Sequence, residues 1–123
     1  MRIDIEWEFF LSVTTHQKCT KLLGQIESSL EVEFDEWTIE HYAKGATRHK
    51  VIAHSSFDEP TTTDGLYKLM ITVSRLAREW VVTGPTEDDQ WHFGGTAKPD
   101  SIRTQGLTSI SFNATSIGAL HAA

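Results

Sequence analysis

The stretch RIDIEWEFFLSV, residues 2–13, decides the architecture. Ile3, Ile5, Trp7, Phe9, Leu11 and Val13 fall on one parity. Asp4, Glu6 and Glu8 fall on the other, followed by Phe10 and Ser12. A period of two sustained this long is the pattern of a strand with one buried face. Burying large apolar side chains stabilises by roughly 1.5–3 kcal/mol each, so the odd-numbered residues must face a core. The three carboxylates, spaced about 6.5–7 Å apart along the strand, must then face away from it. Such a strand belongs to an antiparallel sheet covered on one side only.

Working outward, THQKCTKLLGQIESSLE (15–31) places Cys19, Leu22, Leu23, Ile26 and Leu30 at helical spacing. Thr14 with Gln17 forms a capping-box pattern, which predicts a helix start near Thr15. Two strands around a turn follow. Trp37, Ile39 and His41 share one parity and Glu36, Thr38, Glu40 and Tyr42 the other, and Gly45 supplies the turn. The return strand runs from about Arg48 to Phe57, with Val51 and Ala53 on one side and Lys50, Ile52 and His54 on the other. A second helix is predicted from Thr61, capped with Asp64, to Val82. Its stripe is Leu66, Leu69, Met70, Val73, Leu76, Ala77 and Trp80, and Gly84-Pro85 is its terminator. QWHFGGTAK (90–98) and LTSISFNATS (107–116) suggest a closing hairpin.

The predicted order is β-α-β-β-α-β-β. The fold class is therefore α+β: an antiparallel sheet with two helices on one face, a ferredoxin-like split β-α-β with the opening strand central. The 123 residues make a single domain, 1–123. With 39% hydrophobic and 23% charged residues the chain has the composition of a folded, soluble protein. No apolar run approaches the ~20 residues of a membrane span. The N-terminus carries no basic-then-apolar signal, and a lone Cys19 suits a reducing compartment, so a cytoplasmic location is expected.

Charge narrows the partners. Seventeen acids against eleven bases give −6, and residues 1–40 alone hold nine acids and three bases. Nucleic acid and anionic membrane surfaces call for clustered Lys and Arg and are excluded as partners. A basic protein is the natural complement. The residues expected to meet it are Asp4, Glu6, Glu8 and Phe10 of the first strand, Glu36, Glu40 and Tyr42 of the second, and Asp88, Asp89 and Trp91 of the TEDDQW segment. Trp7, Trp37 and Trp80 lie on apolar parities and are assigned to the core, whereas Trp91 is expected to be exposed. The chain is expected to be a monomer or weak dimer.

No catalytic or metal-binding residue is assigned. His41 and His49 face each other across the predicted hairpin, but HxH, HExxH and CxxC are all absent. Cys19 lies on a helix's apolar stripe, the place of a packed thiol. HFGGTAKP (92–99) lacks the Lys-Ser/Thr ending of a phosphate loop. No cofactor is implied. An acid–base pair such as Glu40 with His54 or His92, placed with His41 in a sheet–helix cleft, is the enzymatic or ligand-binding alternative.

In its small size, its acidity and its lack of a catalytic motif, the chain resembles the bacterial immunity proteins paired with secreted or contact-delivered toxins. The segments that carry the likeness are DIEWE (4–8), EVEFDEWTIE (31–40) and TEDDQW (86–91). The resemblance implies a non-catalytic inhibitor that binds a cognate toxin, often a basic nuclease.

Overall fold

The computed structural model describes residues 1–87 and 91–116, with the side chain of Glu87 outside the description. Its elements run β1 (Arg2–Leu11), α1 (His16–Leu30), β2 (Glu36–Lys44), β3 (Thr47–Asp58), α2 (Thr62–Ser74), β4 (Trp80–Glu87), β5 (Trp91–Ala97), a 3-10 turn at Pro99–Ser101, and β6 (Leu107–Ser116). The strands form one six-stranded antiparallel sheet in the order β2-β3-β1-β6-β5-β4. The protein is thus α+β, with an antiparallel sheet and two helices.

β1 lies at the centre, hydrogen-bonded to β3 on one side and β6 on the other. Its odd-numbered residues, Ile3 to Leu11, are all buried. They share one cluster with Cys19, Leu22, Leu23, Ile26 and Leu30 of α1 and with Leu69 and Val73 of α2. Both helices therefore cover the same side. The aromatic centre of that core is Trp7, Phe9, Phe34, Phe93 and Phe112, with neighbouring ring centroids 5.7–5.9 Å apart. Trp7 meets its one polar need by donating its indole N–H to the Ser55 hydroxyl at 2.9 Å.

Local signals set the helix starts. Thr15 caps α1, its hydroxyl accepting from the Lys18 amide, so the cap lies one residue beyond the Thr14–Gln17 pattern. Thr61 caps α2 as predicted, accepting from the Asp64 amide and donating to the Asp64 carboxylate. α1 stops at Glu31, which turns into the left-handed region at φ 59°. Gly45, also at φ 59°, makes the β2–β3 turn.

Beyond Ser74 the structure departs from expectation. α2 ends there instead of continuing to Val82, and the chain turns and enters β4 at Trp80. Leu76 and Ala77 are buried as the stripe requires, but from that turn and not from a helix. Met70, on the predicted stripe, is exposed. Gly84-Pro85 lies inside β4, where the β4–β5 register shifts between Thr83 and Thr86. β4 is the additional strand, giving six strands where five were expected, and it occupies an edge. No helix among the described residues is long and apolar enough to cross a membrane.

Candidate docking face

The even-numbered residues of β1 point away from both helices, and pairing carries that face across the whole sheet. Register builds it as cross-strand rows. Asn113, Glu6, His54 and Glu36 form one; Ser111, Glu8, Ile52 and Thr38 the next; Ser109, Phe10, Lys50 and Glu40 a third. Neighbouring strands lie ~4.8 Å apart, so each row is a line of touching side chains. The face divides in two. On the β2-β3-β1 side it is charged. On the β6-β5-β4 side it carries Ser111, Asn113, Thr115, His92, Gly94, Thr96, Val81, Thr83 and Thr86, with no carboxylate, Lys or Arg among them.

Asp4 pairs with Arg2 at 2.9 Å and Glu8 with Lys50 at 3.0 Å. Glu6, Glu36 and Glu40 make no ion pair among the described residues. The hydrogen bond from Lys50 to Glu8, together with the Glu8 charge, raises the Lys50 ammonium above its ordinary value, and Glu40 adds to the effect. Arg2 is raised in the same way by Asp4. The Arg2–Asp4 pair is exposed and contributes only ~0–1 kcal/mol, and the Lys50–Glu8 pair is half-buried. Phe10 and Tyr42 meet edge to face, centroids 5.4 Å apart, and Lys50 sits 5.8 Å from the Phe10 ring centre. A half-buried aromatic pair thus closes one end of the acidic rows. Ile52, half-buried between Glu8 and Thr38, is an apolar centre the sequence reading did not single out; its place in the alternation of VIAHSS was the available signal.

Other expected members fall elsewhere. Trp91 is 2% exposed, because β5 turns its odd-numbered residues towards the core, where Trp91 lies 6.2 Å from Phe93. It is not available to a partner. Asp88 and Asp89 lie outside the described residues. Trp37, assigned to the core, is 45% exposed, because β2 is an edge strand that reaches beyond the helical cover.

The histidines do not meet as the cleft alternative requires. His41 and His49 stack edge to face at 5.7 Å on the helix side, where His49 Nδ1 lies 2.9 Å from the Val13 carbonyl oxygen. His54 is on the opposite face. The cleft between α1, α2 and the sheet, about 780 Å³, is lined by residues including Glu27, Ser28, Lys68 and Thr72, with no histidine among the described residues. His54 and His92 instead line a shallow hollow of about 420 Å³ on the open face, with Asp4, Glu6, Asn113 and Thr115. Among the described residues no three His, Cys, Asp or Glu side chains are grouped to hold a metal ion. Cys19 is buried, and desolvation pushes its thiol up.

No protein family, curated protein or solved structure matches the chain.

Proposed function

We propose that the protein is a non-catalytic binding protein that neutralises a basic partner through its open sheet face, in the manner of a cytoplasmic immunity protein inhibiting a cognate toxin. The scaffold reads as an elaborated ferredoxin-like split β-α-β sheet, which leaves one face free. The observation that carries the reading is the charged half of that face. Glu6, Glu36 and Glu40 stand there without ion-pair partners among the described residues, flanking Ile52 and ending on Phe10 and Tyr42. Apolar and aromatic centres ringed by charge are how protein partners are anchored and steered. Asp4 and Glu8 add to the field and can exchange Arg2 and Lys50 for a partner's cations. Nothing in this role requires a reaction, and none is assigned.

The test uses the full chain as bait in its source cell, beside a Glu6→Lys/Glu36→Lys/Glu40→Lys variant of equal melting temperature. A basic protein retained by the first and lost from the second, whose toxicity the co-expressed chain suppresses, supports the proposal. Equal retention by both baits removes this face from the interaction.

A small-ligand reading draws on the hollow between His54 and His92. It predicts resonance shifts confined to those two imidazoles and Asn113 when a ligand is titrated in.

A further inference from the structure

From Val81 to Thr86, and among the described residues, β4 is uncovered on both of its faces and along its outer edge. Val81 points to the open side and is 60% exposed; Val82 points to the helix side and is 42% exposed. Every residue from Val81 to Thr86 is exposed. Trp80 does not shield them, since its ring turns inward onto Phe112, centroids 5.5 Å apart, and its indole N–H goes to the Ala77 carbonyl. Among the described residues no strand pairs with the outer edge of β4.

Edge strands are ordinarily protected by charge, and the other edge of this sheet obeys the rule: β2 carries Glu36, Glu40, His41 and Lys44. From Trp80 to Thr86 there is no charged residue. Of the acids at its two ends, Glu79 is paired with Lys98 at 3.6 Å, so in a chain of net charge −6 the edge from Trp80 to Thr86 is the part of the sheet that an identical chain can approach with least like-charge repulsion. We infer that β4 pairs antiparallel with β4 of a second copy, joining two six-stranded sheets into one. A two-fold axis beside Val82 sets that residue against its own counterpart on the helix side. On the open side each Val81 meets Thr83 of the second copy. Both pairs set β-branched side chains, which suit a pleated surface, against one another. Pro85 has no N–H to donate and bounds the ladder at that end. The two acidic faces then lie on one side of the joined sheet, far from the axis, on β1, β2 and β3.

Sedimentation velocity on the full chain over a dilution series tests the inference. A monomer–dimer equilibrium is expected. Val81→Lys and Val82→Lys should each weaken association by roughly tenfold or more, with an unchanged far-ultraviolet spectrum. Thr38→Lys, on the charged edge, should leave it intact. Amide exchange at Val81–Thr83 should slow as the wild-type concentration rises, a readout that needs no variant. A monomer at every concentration, a dimer that survives both valine substitutions, or exchange independent of concentration would each overturn the pairing. None of these outcomes depends on the acidic face, so the dimer and the docking proposal stand or fall separately.

Discussion

Trp91 and Trp37 make a useful pair at the scale of single residues. The first is enclosed beside Phe93; the second is nearly half open at the sheet margin. Trp91→Ala should therefore cost roughly 3–5 kcal/mol in urea unfolding, and Trp37→Ala much less. Equal losses would contradict the placement of β5. Cys19 has a pH signature. Burial moves its ionisation to higher pH in the folded state, whereas the unfolded chain ionises at the ordinary value. Above that ordinary value the unfolded state has lost a proton that the folded state keeps, so stability falls as pH rises. At about pH 8 a thiol reagent should label the native protein slowly and the denatured chain at once, and Cys19→Ala should remove the alkaline loss. Among the carboxylates, Glu6→Lys breaks no ion pair among the described residues, whereas Glu8→Lys both breaks the 3.0 Å pair with Lys50 and sets two cations together. The melting temperature should drop for Glu8→Lys and hold for Glu6→Lys.

At the scale of elements, each signal was legible where local chemistry and tertiary cover agree. β1 alternates because one side is fully covered, and its register with β3 and β6 keeps that alternation over the whole strand. α2 starts at the Thr61–Asp64 box because the cap is built from residues three apart. Thr61→Ala should lower stability by about 1 kcal/mol in chemical denaturation. Its end was not legible. Leu76, Ala77 and Trp80 continue a helical stripe in the sequence, yet they reach the core from a turn and a strand. β4 carries no alternation because neither of its faces is covered, so periodicity had nothing to report. Gly84 resembles a helix stop but serves the strand. Its φ is +94°, and a Cβ there would lie 2.7 Å from the His92 carbonyl oxygen. Gly84→Ala should destabilise the β4–β5 pair, seen as faster amide exchange along β5. The acidic half of the open face was readable for the same reason as β1, by parity. The burial of Trp91 was not, since the acidic TEDDQ run beside it suggests a loop while β5 has already begun.

At the scale of the whole molecule, the sheet separates two tasks. One side is closed by helices and holds the core; the other keeps carboxylates, Ile52 and the Phe10–Tyr42 pair in fixed rows. Association through that side should slow as salt rises, because screening shortens the reach of the acids, while dissociation changes less. Stopped-flow rates at two ionic strengths would check this, and a salt-independent on-rate would speak against steering. The position of β1 has one more consequence. Its ten residues are paired on one flank by β6, at Leu107–Ser116, the described strand farthest from it along the chain. During synthesis this strand keeps a bare margin until β6 has followed it out of the ribosome. A chain cut before Leu107 leaves the core without one wall and the flank of β1 unpaired, and it should be cleared quickly by proteolysis.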